Sequence, residues 1–249
     1  MDSTARLPPP VRVINAQGSS PYVLLCEHAS RFIPDEHKGL GLGEADLTRH
    51  IAWDIGAAQV AEALAQALDA PLAMAGYSRL LIDLNRPLDS ATSIPEVSET
   101  TVIPGNLNLG AEERARRVAL YFEPFQAAVR QLLDARLEKG RATVIVGVHS
   151  FTPVFKGVAR PWHAGVLYRR AQDFGHALAQ ALGGPGQAIA ENQPYQIEDG
   201  SDYTVPVHGE ARGLDAVLVE IRQDLIGDAA GAATWAARLA AALAAVARS

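Results

Sequence analysis

The chain of 249 residues carries a formal net charge of −6 and one cysteine. That length supports one large α/β domain with a well-buried core, without requiring a second. With no basic cluster of five or more residues, nucleic acid and anionic membrane are excluded as expected partners, and Cys26 alone excludes an internal disulfide framework and suits a reducing compartment.

Residues 1–10 lack the basic start and apolar stretch of a signal peptide. Residues 1–20, with Pro8-Pro9-Pro10 and Gly18-Ser19-Ser20, read as an irregular arm, and residues 21–249 as a single domain. Tyr22–Cys26 predicts a buried strand and 31–43 a loop. A long helix is expected over 44–68, where Ile51, Ile55, Val60 and Leu64 fall near helical spacing. Strands follow at 71–75 and 80–84, then a long loop over 90–110, of a length that in compact domains is usually functional or disordered.

Residues 111–139 predict a second long helix, ended by Gly140. Strands at 143–148 and 165–168, a helix at 171–182 and a strand at 188–190 come next. After a Gly/Asp/Pro-rich loop over 193–213, a strand at 216–220 leads to a C-terminal helix. No window reaches about 18 uninterrupted apolar residues. The alanine-rich 229–247 comes nearest, but Trp235 and Arg238 fit an amphipathic helix. Strands alternating with helices imply a mostly parallel, helix-covered sheet in a cytoplasmic protein.

Two strand ends stand out. Residues 144–148 run straight into His149-Ser150-Phe151, and 217–219 into Glu220-Ile221-Arg222. Open α/β sheets bind ligands at the carboxyl ends of their strands. Glu27-His28 adds a third such position after the first strand. Imidazoles from two strands, one carboxylate ligand and a second carboxylate to deprotonate water would meet the needs of a zinc hydrolase. Any single histidine here is more often a hydrogen-bonded structural residue, and it is two histidines and a glutamate together at strand ends that bring the two readings level.

The carboxylate ligand is open. Position 31 is Arg, so no His-x-x-Glu follows His28. His50 and Asp54 share a helical face at i and i+4, and the Asp54 carboxylate would reach His28 if that helix packs beside the first strand. Glu27 is the alternative, provided the strand end is irregular. Arg79, Asn85 and Arg86 could clamp a substrate carboxylate, or be solvated arginines beside a structural turn. His208 and Arg222 are further polar candidates for the substrate, with Tyr195 and Tyr203 behind them, and alternation puts Glu220 and Arg222 on one strand face.

Other chemistries fit less well. A lone strand cysteine such as Cys26 is more often core than nucleophile. Gly39-x-Gly41-x-Gly43 follows a loop rather than a strand, and no serine sits in a Gly-x-Ser-x-Gly elbow.

The His149-Ser150-Phe151 strand end with the later Glu220-Ile221-Arg222 resembles the zinc-carboxypeptidase-like fold. Asp83-Leu84-Asn85-Arg86 resembles its aspartoacylase and succinylglutamate desuccinylase branch. The fullest match is to the N-formylglutamate amidohydrolase family, over roughly residues 22–226. It runs through Cys26-Glu27-His28-Ala29-Ser30, His50-Ile51-Ala52-Trp53-Asp54-Ile55-Gly56-Ala57, Arg79 with Asp83-Leu84-Asn85-Arg86-Pro87, His149-Ser150-Phe151-Thr152-Pro153, Asn192-Gln193-Pro194-Tyr195 and Glu220-Ile221-Arg222-Gln223-Asp224.

The resemblance implies a three-layer α/β sandwich with a mostly parallel, mixed central sheet. It also implies metal-dependent hydrolysis of a small N-acyl, here N-formyl, amino acid such as N-formylglutamate. His28, Asp54 and His149 then look like ligands of a divalent metal, zinc foremost, and Glu220 like the general base and proton shuttle. Arg79, Asn85 and Arg86 look like the group that holds the substrate carboxylate and stabilises the oxyanion. Alternatives are hydrolysis of an N-acetyl or N-succinyl amino acid, or a non-catalytic binding protein that keeps the cleft. A second substrate carboxylate would need another cation, for which Arg160, Arg169 and Arg212 are available. Nothing in the sequence specifies an oligomeric state.

Overall fold

The structure is a computed structural model and describes residues 7–247. Its centre is a seven-stranded sheet formed by β1 (Val11–Ile14), β2 (Tyr22–Cys26), β3 (Leu72–Ala75), β6 (Val144–Phe151), β9 (Ala164–Leu167), β10 (Ile189–Glu191) and β11 (Ala216–Arg222). Two small hairpins stand apart from it, β4 (Val97–Ser98) with β5 (Thr101–Val102) and β7 (Val154–Phe155) with β8 (Val158–Ala159). The helices are α1 (Glu44–Leu47), α2 (Ala57–Leu68), α3 (Ala111–Arg117), α4 (Glu123–Leu137), α5 (Gln172–Leu182) and α6 (Ala229–Val246).

Strand order is β1-β3-β2-β6-β11-β9-β10. β3, β2, β6 and β11 run parallel to one another, while β1 on β3 and β9 on β11 are antiparallel. The expected mostly parallel mixed sheet is therefore present. Alternation sorts its side chains into two cores. Leu24, Val146, Val148, Val217 and Val219 pack with α2, α5 and α6 on one face. Val23, Leu25, Ile145 and Leu218 pack with Phe125, Val129 and Leu133 of α4 on the other. Three layers result, as the resemblance implied.

Four local expectations change. The arm is not irregular throughout, because residues 11–14 pair with β3; residues 1–6 lie outside the described residues. The helix expected over 44–68 breaks between α1 and α2, where Gly56 adopts φ +82 and a Cβ would stand 2.2 Å from the Ile226 carbonyl oxygen. Residues 80–84 are buried but are not a strand. Their backbone groups are satisfied from a distance: Asn106 donates to the Leu80 carbonyl, Arg117 to that of Leu81 and Gln126 to that of Leu84. The helix over 111–139 is realised as α3 and α4 joined by a wide turn at 118–122.

Residues 229–246 form the one described helix long and apolar enough to cross a bilayer. Its Trp235, Leu239 and Leu243 are buried in the core that it shares with α2 and α5.

Candidate active site

Adjacent parallel strands place His149 and Glu220 side by side: the two residues are direct register partners on β6 and β11. Alternation turns both toward the face that carries α4, beyond the reach of that helix. Gly147 makes room for Leu218, since a Cβ there would stand 2.4 Å from Leu218 Cδ2, while His149 Nε2 at 3.4 Å would be in ordinary contact. Glu27 and His28 follow the last residue of β2.

Asp54 comes from the turn that breaks the expected helix. Its amide donates to the His28 carbonyl at 2.9 Å. Ser150 fixes the same turn through its hydroxyl, which donates to the Ile55 carbonyl at 2.9 Å. The Asp54 carboxylate thus reaches His28, though from a turn rather than a helix face.

Both imidazoles aim Nδ1 at one oxygen. His28 Nδ1 lies 3.3 Å and His149 Nδ1 2.9 Å from Asp54 Oδ2. Among the described residues, His28, Asp54 and His149 are the group whose ligand atoms all lie within 4.8 Å of one another. Each histidine is backed by a further carboxylate on its other nitrogen. His28 Nε2 is 2.7 Å from Asp83 Oδ1, and His149 Nε2 is 3.1 Å from Glu27 Oε2. The first is a hydrogen bond of the kind that fixes ring orientation and raises ligand basicity in metal centres; the second is a charge contact, since neither atom has a hydrogen-bond partner. Glu27 therefore stands behind His149 rather than beside Asp54. It is held in turn by the Thr204 hydroxyl, and Asn85 Oδ1 accepts the Thr204 amide at 2.9 Å.

Glu27, Asp54, Asp83 and Glu220 are all buried. Arg79 answers two of them, donating to Asp83 at 2.8 and 3.1 Å and to Asp54 at 3.3 Å. Burial works against the ionised form of Asp54, yet His28 and His149 hold its carboxyl well below the usual range. Burial also opposes charge on His149, but Glu27 and Asp54 raise it well above an ordinary histidine. The centre is thus built to hold positive charge against an excess of carboxylate. Two imidazoles and a carboxylate suit a divalent ion that accepts N and O ligands.

Glu220 behaves differently. Burial, with Asp54 adding to it, raises its carboxyl to about 7 against the pull of His149, and its Oε2 is buried without a hydrogen-bond partner. A carboxyl poised there can take and return a proton near neutral pH.

These groups open on a cavity of about 470 Å³, lined also by His50, Arg79, Asn85, Arg86, Tyr195 and Leu218. Of the expected substrate residues, Arg79 and Arg86 present guanidiniums there, with Arg86 also donating to the Ser201 carbonyl. Asn85 is committed elsewhere: its Oδ1 accepts the amides of Tyr203 and Thr204, and its Nδ2 donates to Asp202 at 3.4 Å. It anchors a loop rather than offering a clamp.

His208 and Arg222 do not line the cavity. His208 is fully buried and donates from Nε2 to Gln126 at 2.6 Å. Arg222, where β11 stops, is turned to Asp224 at 2.8 Å and to the carbonyls of residues 160–162, so it does not extend the Glu220 face into the site. Tyr203 stacks on Phe122 and His208. Arg169 is taken by Glu210 and Asp199, and Arg212 by Asp134. Arg160 sits against Phe151, Phe155 and Tyr195. The sequence offers Glu27 as an alternative ligand, whereas it stands behind His149, and gives Asp83 no role of its own. Asp83 lay in a quoted motif, but nothing local ties it to His28.

Comparison with known proteins agrees with this architecture. The family model described as N-formylglutamate amidohydrolase matches residues 20–227. The gene product Atu2144 of Agrobacterium tumefaciens is 36% identical, with a TM-score of 0.95 over 98% of this chain and 97% of that one. The N-formylglutamate amidohydrolase of Ralstonia eutropha JMP134 shares the fold at 19% identity, with a TM-score of 0.72 over 96% of this chain and 97% of that one. A metallo-carboxypeptidase of Burkholderia cenocepacia is a more distant likeness, 14% identical with a TM-score of 0.42 over 97% of this chain and 66% of that one. None of the curated proteins matches the chain. The extent of the family match settles the assignment: the chain belongs to the N-formylglutamate amidohydrolase family.

Proposed function

We propose that this protein is a metal-dependent amidohydrolase that cleaves an N-formyl amino acid, such as N-formylglutamate, to formate and the free amino acid. The observation that carries this reading is the convergence of His28 Nδ1 and His149 Nδ1 on Asp54 Oδ2, beside a buried Glu220 that has an unpartnered oxygen. His28, Asp54 and His149 would hold the metal, and their N and O donors accept zinc as well as iron, cobalt or nickel. When bound, such an ion supplies Lewis acidity that polarises the scissile carbonyl and acidifies water.

The chain's own residues would do the rest. Glu220 takes a proton from the attacking water as the new C–O bond forms. It then delivers that proton to the amide nitrogen as the C–N bond breaks and nitrogen keeps the electron pair. Arg86 faces the cavity and is suited to hold the substrate carboxylate. Arg79, immobilised by Asp83, is suited to offset charge that develops on the acyl oxygen. Glu27 and Asp83 keep the two imidazoles oriented.

The test is a hydrolysis screen over N-formyl, N-acetyl and N-succinyl amino acids, before and after chelation and with single divalent metals restored. Formate release that disappears with the metal and returns with it is expected. No formate from any formyl substrate would overturn the reading.

A further inference from the structure

Arg160 is a buried guanidinium, only 9% exposed, and no carboxylate matches it among the described residues. Its guanidinium carbon stands 5.7, 4.6 and 4.9 Å from the ring centres of Phe151, Phe155 and Tyr195, and cation–π attraction offsets part of the cost of burying the charge. Nη1 donates to Thr152 Oγ1 at 3.3 Å and to the Tyr195 hydroxyl at 3.1 Å. A guanidinium carries five N–H donors, and those on Nε and Nη2 meet no acceptor among the described residues.

Other buried arginines show what a purely structural one looks like. Arg136, also without a carboxylate, spends Nε, Nη1 and Nη2 on the Thr143 hydroxyl and the carbonyls of Gly18, Ser20 and Ala142. Arg79 and Arg117 are matched by carboxylates. Of these four, Arg160 alone has both charge and donors left over.

Tyr195 carries that charge to the cavity. It lines the main cavity and also a smaller annex of about 280 Å³ beside it, as do Arg79 and Arg86. Its phenol keeps its proton at neutral pH. Because the oxygen accepts from Arg160, the O–H is turned to some other acceptor, and none is present among the described residues. A cation donating to the oxygen also polarises the O–H and strengthens it as a donor.

We propose that Tyr195 and Arg160 form a subsite for a second carboxylate, that of an acidic side chain on the N-formyl amino acid, while Arg86 holds the α-carboxylate. This inference rests on the amidohydrolase reading above. Arg169 and Arg212, the other cations that could have served, are spent on Glu210, Asp199 and Asp134. Tyr195 makes the contact. Arg160 is a positioning residue that orients the hydroxyl and sets a positive charge behind it. A side-chain amide of the same shape gains nothing from that charge, so the site selects acid over amide.

The test compares three substrates of one shape in the metal-supplemented protein. These are N-formylglutamate, N-formylglutamine, with a neutral side chain, and N-formylisoglutamine, with a neutral α-position. The parent should favour N-formylglutamate over both in kcat/KM. Tyr195→Phe, which keeps the ring and removes only the hydroxyl, should lose about tenfold of the preference over N-formylglutamine. It should keep the preference over N-formylisoglutamine. Arg160→Met should lose the first preference too, and Arg160→Lys should recover part of it.

Where turnover is too low, calorimetric binding of the three compounds to Glu220→Gln, with and without Tyr195→Phe, gives the same comparison. An unchanged preference for acid over side-chain amide in Tyr195→Phe would overturn the inference, as would loss of the preference over N-formylisoglutamine in its place. A parent protein that hydrolyses N-formylglutamate and N-formylglutamine equally well would overturn it alone. One that hydrolyses no formyl amide would overturn the amidohydrolase reading as well.

Discussion

His149 and Glu220 stand side by side across the β6–β11 ladder as direct register partners, and burial disfavours the charged form of both, yet only His149 has carboxylates beside it that overcome this. His149 is enclosed by Glu27 and Asp54, so positive charge is favoured at its ring. Glu220 has no such partner, and burial holds its carboxyl near neutrality, to about 7. One strand pair thus presents a charge-binding group and a proton-exchanging group side by side.

Replacing Glu220 with glutamine preserves shape and removes the base. Turnover should fall by roughly two to four orders of magnitude, the share that a positioned base supplies. Metal content should not change, since Glu220 lies outside the ligand group. A base acts in its ionised form, so if Glu220 is the base, kcat/KM of the parent should decline as pH falls through about 7. A pH–rate profile level across that region would remove Glu220 as the base.

Thr204 tests the support behind the proposed metal site. Its hydroxyl donates to Glu27, which stands 3.1 Å from His149 Nε2. Thr204→Val removes that donor at nearly constant volume and leaves Glu27 freer to turn away. Metal affinity, measured by competition with a chelator, should weaken about tenfold or more, and Thr204→Ser should retain most of it. Equal affinity in Thr204→Val and the parent would show that Glu27 needs no such tether.

These supports mark where sequence reading runs out. β2, β6 and β11 were legible because a strand buried on both faces needs a continuous apolar run, and His28, His149 and Glu220 follow from where those runs end. The helix expected over 44–68 was misread because Ile51, Ile55, Val60 and Leu64 keep helical spacing through the break at Gly56. Residues 80–84 imitate a strand because burial alone makes a segment apolar. What betrays them is the set of distant side chains that satisfy their carbonyls. The contacts of Asp83 with His28 and of Thr204 with Glu27 span 55 and 177 residues, and no local pattern encodes them. His208 lay among turn residues that suggested a loop site, but packing turned it into the core.

His208 should make the protein acid-sensitive without taking part in the site. Gln126 Oε1 accepts its Nε2–H, and Nδ1 is buried with no partner, so a second proton has nowhere to bond. Burial, with Arg212 adding to it, lowers its pKa to about 4 from an ordinary 6.5. The unfolded chain takes up that proton below about 6.5 and the folded chain does not. The stability His208 contributes is therefore complete above 6.5 and is lost as pH falls toward 4. Between about pH 7.5 and 5 this costs about 2 kcal/mol. His208→Gln, which cannot titrate, should lose less stability over that interval in denaturant melts. Parallel losses in the two proteins would mean that His208 is protonated in the fold.

Gly147→Ala tests stability and metal binding together. Glycine in a strand is entropically unfavourable by about 0.5–1 kcal/mol relative to alanine, so backbone considerations alone favour the change. The added methyl would lie 2.4 Å from Leu218 Cδ2 and 3.4 Å from His149 Nε2. Leu218 Cδ2 is the end of a flexible side chain beside the cavity and can move into it. His149 need not yield, because 3.4 Å is ordinary van der Waals contact, and its ring can stay with Asp54 at 2.9 Å and Glu27 at 3.1 Å. The gain and the strain nearly cancel in folding, and the melting temperature should shift by only a few degrees, as expected for a net change within about 1 kcal/mol. The histidine is not displaced, so divalent-ion affinity at the proposed metal site should stay close to that of the parent. A clear loss of affinity would show that Leu218 does not absorb the displacement, and that Gly147 makes room for the histidine as well.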